Sequence, residues 1–153
     1  YNHRLSDINC ALGISQLKKI NLFLDKRKKI YIHYKTQLDG FKDILSFPKY
    51  NKFNSPAYHL VIINIKFKDL NSKDKFIHHL LKKKIIVQFH YKPINHFSVY
   101  KEKSNKLPHA MSYYRSSLSI PIYHSISEKE VKHTVQTIKN YIIKNYDLFS
   151  NNH

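Results

Sequence analysis

Apolar residues recur at close to helical spacing through the first forty positions of the chain. Ser6 is a good N-cap, and Asp7 places a negative charge against the positive end of a helix. Gly13 lies inside this segment, where glycine costs about 1 kcal/mol relative to alanine, which indicates either a close backbone approach or a glycine that the helix tolerates. Asp39-Gly40 is typical of a helix end, because glycine accepts the left-handed conformation. The pattern predicts one long helix within residues 1–40, with an apolar face on Ile8, Ala11, Leu12, Leu17, Ile20, Leu24, Tyr31, Tyr34 and Leu38.

Strand and helix patterns alternate through the rest of the chain. Residues 41–57 look irregular, 59–65 form a β-branched run typical of a buried strand, and Asn71-Ser72 caps a short helix. A second strand is predicted at 85–90, a short helix near 110–114, a third strand at 117–120, and a last helix that opens on the capping box of Ser127 and Glu130. This order predicts a small sheet with helices packed against it. The predicted inner faces are Phe76, Ile77, Leu80 and Leu81, then Val131, Val135, Ile138 and Ile142.

The charge leaves two interpretations open. There are 27 Lys plus Arg against 10 Asp plus Glu, a formal net charge of +17, which suits a small nucleic-acid-binding module. Most of these residues are lysines rather than arginines, which favours a solvated surface instead. The hydrophobic content of 42% is too high for a disordered chain. No apolar run approaches the ~18 residues of a spanning helix, so we expect a soluble protein with no membrane partner. The single cysteine fits the cytoplasm, and with the lysines taken as solvated surface we expect no nucleic-acid partner.

The spacing of residues along the chain gives little support to a metal site or to a catalytic nucleophile. Eleven histidines occur without a ligand spacing and with few carboxylates, so no metal site is expected. Cys10 is the one cysteine, which fits a reducing compartment, and its place near the apolar helix face predicts a buried, inert thiol. Two glycines cannot build a glycine-rich phosphate loop. The sequence contains no self-contained active site, and no catalytic residue is predicted within it.

Two polar clusters remain as candidate binding sites. Asn2 and Arg4 come directly before the first helix, where an amide and a guanidinium can reach a phosphate or carboxylate. His90 and Tyr91 come at the end of a strand, in the stretch HYKPI in which Pro93 fixes the turn. From the residues alone, the first cluster also fits a local cap or ion pair. The second also fits the half-buried edge of a core.

The chain resembles the DegT/StrS family of sugar aminotransferases at several places in the same order. These are pyridoxal-phosphate enzymes that aminate nucleotide-linked keto-sugars, and the first helix and the HYKP turn look most like members that serve pseudaminic acid synthesis. The resemblance implies an α/β fold, the C-terminal small domain of the aspartate aminotransferase fold (PLP fold type I). The matching stretches are YNHRLSDI at 1–8, ALG at 11–13, QL at 16–17, HL at 59–60, HYKPI at 90–94, LPHA at 107–110 and SLSIP at 117–121.

The resemblance also implies roles for the four candidate residues. Asn2 would reach the pyridoxal phosphate of the partner subunit at its phosphate, Arg4 would contact substrate, and His90 and Tyr91 would line the sugar-nucleotide pocket of a homodimer with shared active sites. The chain departs from the family pattern in three places. His3 replaces an aromatic residue, Lys84 stands where a glycine is common, and Asn95 stands where a histidine is common, with His96 one residue late.

The resemblance covers only the C-terminal part of the family. We therefore expect a long helix at 1–40 that leads from a large domain, a small domain at 41–149, and a polar tail at 150–153. The lysine that forms the Schiff base would lie outside this chain, so we expect no turnover by the chain alone. With its partner domain, the enzyme would transfer an amino group from glutamate to a nucleotide-linked 4-keto sugar. A partial sequence, a split gene and an inactive remnant remain open interpretations, and the small basic nucleic-acid-binding module is the rival function.

Overall fold

The computed structural model describes residues 4–51, 53–103 and 107–149. Nine helices and strands make up the described chain, together with short 3-10 turns at Asp39–Phe41, Ile94–His96, Ser98–Lys103 and Tyr146–Leu148. In chain order they are α1 (Asp7–Leu17), α2 (Ile20–Leu38), β1 (Leu45–Ser46), β2 (Val61–Ile65), α3 (Leu70–Lys82), β3 (Gln88–Phe89), α4 (Pro108–Ser116), β4 (Ser117–Ile120) and α5 (Glu128–Lys144).

The four strands form one antiparallel sheet in the order β1-β2-β4-β3. Val61 pairs with Ile120 between β2 and β4, and Gln88 pairs with Ser119 between β3 and β4. Alternate residues of β2 are fully buried, while all four residues of β4 are buried. A small sheet with helices packed against it is therefore confirmed, in the mixed α/β class that the sequence predicts.

The helices α2, α3 and α5 supply the apolar side chains that cover the sheet. The capping box that opens α5 is present, with the Ser127 and Glu130 side chains each bonded to the backbone of the other residue. The Tyr34 hydroxyl of α2 donates to the Pro121 carbonyl at 3.0 Å, which ties this helix to the segment after β4. The predicted inner faces of α3 and α5 are confirmed except at Leu81, which is 47% exposed. The innermost side chains of the two helices are Phe76, Leu80, Ile138 and Ile142.

The single long helix predicted within residues 1–40 is instead two helices. Lys18 and Lys19 separate α1 from α2, and the Lys19 N–H donates to the Gln16 carbonyl in a tightened, 3-10-like turn. No residue of α1 is buried. The expected burial of Cys10 and close approach at Gly13 are therefore wrong for the described chain: Cys10 is exposed, and no atom from outside its own stretch of helix lies within 4 Å of a Cβ placed on Gly13.

Helix and strand ends also differ from the prediction. The N-cap of α3 is Asp69, whose carboxylate accepts from the Ser72 N–H at 2.7 Å, rather than Asn71-Ser72. The strand expected at 85–90 is a ladder of only two residues, Gln88 and Phe89. Lys84, between α3 and this strand, has a left-handed φ of 61°. Gly40 has no positive φ, so α2 ends at Leu38 in a 3-10 turn and not in a glycine cap.

None of the helices in the described part of the chain is both long enough and apolar enough to cross a membrane.

Candidate functional site

His90 and Tyr91 form a turn directly after β3. Their rings meet edge to face, with centroids 5.4 Å apart and an interplanar angle of 73°. His90 is 6% exposed, whereas Tyr91 is 77% exposed, so an exposed tyrosine ring contacts a buried imidazole. Pro93 is buried, and its carbonyl accepts from the His96 N–H at 3.0 Å, which closes the 3-10 turn at Ile94–His96 just after these residues.

The turn is anchored to β4 through a serine. Ser117 is fully buried, and its hydroxyl lies 3.1 Å from the His90 carbonyl and 2.6 Å from the Tyr113 carbonyl. A hydroxyl has one proton, so it donates to one of these carbonyls at a time. Ser117 therefore links the backbone of the His90–Tyr91 turn to the junction between α4 and β4.

The surroundings of the His90 imidazole favour its uncharged form. Burial lowers its pKa, and the positive charge of Lys73 lowers the pKa further. Its Nε2 atom is buried and has no hydrogen-bond partner among the described residues. A neutral imidazole has one donor and one acceptor nitrogen, so this atom can make one hydrogen bond to a ligand group. His90 is therefore suited to binding through a single directional hydrogen bond rather than through charge.

Lys73 of α3 is the polar residue of this region that the sequence reasoning missed. It is 2% exposed, and its Nζ donates to the Tyr114 carbonyl and, at 3.2 Å, to the Ser117 carbonyl. The ammonium lies 5.5 Å from the centroid of the Phe89 ring and 5.0 Å from that of the Tyr114 ring. Burial lowers its pKa to about 8, although the nearby charge of Asp74 opposes the shift.

A sequence signal for the burial of Lys73 did exist. Lys73 lies three, four and seven positions before Phe76, Ile77 and Leu80, so helical spacing places it on the same inner face. A lysine on such a face is usually taken as solvated, because its long stem can carry the ammonium out to water. Two backbone carbonyls within reach keep this ammonium inside instead.

The structure does not join the two predicted clusters. Asn2 lies outside the described residues. Arg4 is exposed and comes two residues before Ser6, whose hydroxyl caps α1 by accepting from the Asn9 N–H. No hydrogen bond or ring contact connects Arg4 with His90 or Tyr91 within the described chain. His90 and Tyr91 are thus one local site, and Arg4 belongs to a separate, solvent-facing segment.

A cleft of about 440 Å³ lies at the β3–β4 side of the sheet, and neither His90 nor Tyr91 lines it. Several of the polar side chains that line the cleft bond within the chain. The Tyr123 hydroxyl donates to Glu130 at 3.0 Å, and His133 Nε2 lies 3.0 Å from the Lys83 carbonyl. Within the described residues, no three His, Cys, Asp or Glu side chains come together as metal ligands do. The His90–Tyr91 turn is the better candidate site.

Comparison with known proteins decides the family. The model of the DegT/DnrJ/EryC1/StrS aminotransferase family matches residues 1–139. The chain belongs to this family. The chain is 36% identical over 140 residues to a UDP-4-amino-4,6-dideoxy-N-acetyl-beta-L-altrosamine transaminase from Campylobacter jejuni, a match that covers 90% of the chain and 37% of that protein. A transaminase of the same name from Helicobacter pylori is 29% identical over 153 residues, 97% of the chain and 39% of that protein.

Solved structures of the family share the fold of this chain. Helicobacter pylori PseC, described as an aminotransferase involved in the biosynthesis of pseudoaminic acid, matches with a TM-score of 0.79 and 26% identity over 94% of the chain and 39% of PseC. The putative sugar aminotransferase Spr1654 from Streptococcus pneumoniae, in its PLP-form, matches with a TM-score of 0.82 and 24% identity over 92% of the chain and 36% of Spr1654. The chain therefore spans less than two fifths of the family members that it matches.

Proposed function

We propose that this chain is the part of a pyridoxal-phosphate-dependent sugar aminotransferase that lines the sugar-nucleotide pocket. The observation that carries the proposal is the family match over residues 1–139, together with relatives from two genera that bear the same transaminase name. The complete enzyme would transfer an amino group from glutamate to a nucleotide-linked 4-keto-6-deoxy sugar. Its pathway would be the synthesis of pseudaminic acid for the glycosylation of lipopolysaccharide or flagellin. The enzyme would work in the cytoplasm as a homodimer.

His90 and Tyr91 supply the substrate contacts in this proposal. The buried Nε2 of His90 makes a hydrogen bond to a sugar or nucleotide group, and its neutral state suits a hydroxyl or carbonyl oxygen. The exposed Tyr91 ring offers an apolar face and a phenol at the mouth of the same turn. Both residues act by binding and orienting the substrate.

Arg4 and Asn2 serve the anionic groups in this proposal. The Arg4 guanidinium is exposed just before the positive end of α1, which fits a phosphate or carboxylate of the substrate. Asn2 donates to the phosphate of pyridoxal phosphate in the partner subunit. The cofactor, when bound, supplies the electron sink for amino transfer.

The Schiff-base lysine lies outside residues 1–153 in this proposal. Lys73 has the lowered pKa that amine nucleophiles require. However, its ammonium is buried and donates to two carbonyls, so it is not available to attack a cofactor aldehyde. We therefore expect neither a cofactor absorption band nor turnover from the 153-residue chain alone.

A chimera with the Campylobacter jejuni relative tests the proposal. In that protein, the 140-residue region that matches this chain is replaced by the matching residues of the chain. We expect the chimera to bind pyridoxal phosphate and to aminate the keto-sugar of the parent enzyme. The 153-residue chain alone is the matched control. A folded chimera with bound cofactor and no transamination, or turnover by the chain alone, would contradict the proposal.

A further inference from the structure

We propose, resting on the function above, that Lys73 is a positioning residue for substrate binding, which holds the His90–Tyr91 turn in place through the α4–β4 junction. Lys73 does not touch the substrate in this proposal. It acts through the backbone and side chains that surround His90.

First, Lys73 cross-links α3 to the end of α4 and the start of β4. Its Nζ donates to the carbonyl of Tyr114, within α4, and to the carbonyl of Ser117, the first residue of β4. A cation at the carbonyl end of a helix is favourable, because the last carbonyls lack helical partners. One buried ammonium therefore fixes the point at which the chain passes from helix to strand.

Second, the same junction carries His90. The Ser117 hydroxyl lies 3.1 Å from the His90 carbonyl and 2.6 Å from the Tyr113 carbonyl, and it shares its one proton between them. The residue whose carbonyl binds Lys73 therefore also contacts the turn through its side chain. The Phe89 ring, directly before His90, lies 5.5 Å from the Lys73 ammonium in a cation–π contact. Lys73 thus restrains the residue before His90 directly, and it restrains His90 itself through Ser117.

Third, a plain packing role does not account for a charge at this position. The buried ammonium is held by carbonyls and aromatic rings, while Asp74, the carboxylate that acts on it, is exposed. Burying a cation in this way is costly, and an apolar side chain of similar length would fill the same space at less cost. An apolar side chain in this place would lack the hydrogen bonds to the two carbonyls and the positive charge next to His90.

Three variants and one control test the positioning role. Lys73→Met keeps the length of the side chain but removes the charge and the donors, and Lys73→Arg restores both. Ser117→Ala breaks the link to the His90 carbonyl and leaves Lys73 in place. Lys75→Met is the matched control, because Lys75 is an exposed lysine of the same helix.

The kinetic readout uses the chimera. We expect Lys73→Met to raise the KM for the sugar nucleotide about tenfold, the size of one lost charge-assisted hydrogen bond, with kcat changed less than about twofold. Lys73→Arg should recover most of the loss, and Ser117→Ala should raise KM in the same direction. A KM unchanged in both Lys73→Met and Ser117→Ala, or a fall in kcat alone, would overturn the positioning role. Thermal unfolding of each variant identifies any that fail to fold, and Ser117→Ala then provides the test.

The second readout needs no activity and uses the 153-residue chain. We follow the pKa of His90 by NMR of 13C-labelled histidine, with His90→Gln to identify the signal. Lys73 is the charged group that lowers this pKa in the folded chain. Lys73→Met should therefore raise the His90 pKa, while Lys73→Arg and Lys75→Met leave it unchanged. If the His90 pKa does not change in a folded Lys73→Met chain, the positioning role is contradicted, even where the chimera is active. If the wild-type chimera is inactive, only the proposed function is contradicted.

Discussion

Protonation of His90 couples this single residue to the stability of the whole chain. Burial and the charge of Lys73 lower the His90 pKa in the folded state, so the unfolded chain binds this proton at higher pH than the folded chain does. Stability rises with pH wherever the unfolded state binds more protons. The free energy of unfolding should therefore fall as the pH drops below about 6.5, the ordinary histidine value. His79 adds to this fall, because burial lowers its pKa as well.

The variant His90→Gln should flatten this dependence. We expect the difference in urea midpoint between pH 7 and pH 5 to be smaller in His90→Gln than in the wild type, whatever the stability of the variant at pH 7. His78→Gln is the control, because His78 is exposed and does not belong to the buried face of α3. Equal midpoint differences in the wild type and His90→Gln would show that His90 does not titrate on unfolding.

At the scale of elements, α5 depends on the capping box at its start. The Ser127 hydroxyl accepts from the Glu130 N–H at 3.2 Å, and the Glu130 carboxylate accepts from the Ser127 N–H at 2.8 Å. Because α5 carries much of the core, we expect Ser127→Ala to destabilise the chain by about 1 kcal/mol, the usual cost of losing a cap. Urea unfolding measures the change. The exposed Ser125→Ala is the control, and an equal loss in both variants would mean that the cap contributes nothing specific.

The connection from α3 to β3 is strained at Lys84. Its φ of 61° is left-handed, a conformation that costs a residue with a Cβ roughly 1–2 kcal/mol and glycine almost nothing. Glycine loses more chain entropy on folding, which offsets roughly 0.5–1 kcal/mol of that gain. We therefore expect Lys84→Gly to stabilise the chain by about 0.5–1 kcal/mol.

Two companion variants check the cause of that gain. Lys84→Ala keeps a Cβ and should bring no stabilisation. Lys75→Gly lies inside α3 at an exposed position and should destabilise by about 1 kcal/mol, as glycine does inside helices. Denaturant midpoints of the three variants give the comparison. A Lys84→Gly chain no more stable than Lys84→Ala would show that the left-handed backbone carries no recoverable strain.

The sequence predicts what depends on short-range physics. The capping box of α5, the buried face of α3 and the strand at 117–120 follow from local spacing, and the structure has them. The burial of Lys73 depends on carbonyls 41 and 44 residues away, which no local pattern contains. The two-residue strand β1 is likewise defined by its partner Ile65 rather than by its own composition. Long-range contacts therefore decide the parts that the sequence did not predict.

At the scale of the molecule, α1 is set apart from the rest of the described chain. None of its residues is buried, and four of its apolar side chains are more than half exposed: Ile8, Leu12, Ile14 and Leu17. In the same chain, α2 packs on α5 and buries Tyr34 completely. An apolar surface of this kind usually marks a contact with another protein surface. In the proposed enzyme, the surface that α1 contacts belongs to the remainder of the dimer.

The isolated chain should therefore associate through α1. We expect sedimentation velocity to show assembly that increases with protein concentration, because burial of apolar side chains favours it by about 25 cal/mol per Å². The double variant Ile8→Glu/Leu12→Glu places two charges on one face of α1 and should keep the chain monomeric. Asn9→Glu/Gln16→Glu adds the same charge at polar positions of the same helix, and should associate as the wild type does. A wild-type chain that stays monomeric at high concentration would contradict a role for the apolar face. Two double variants that behave alike would contradict it as well, because the position of the added charges on α1 would then not matter.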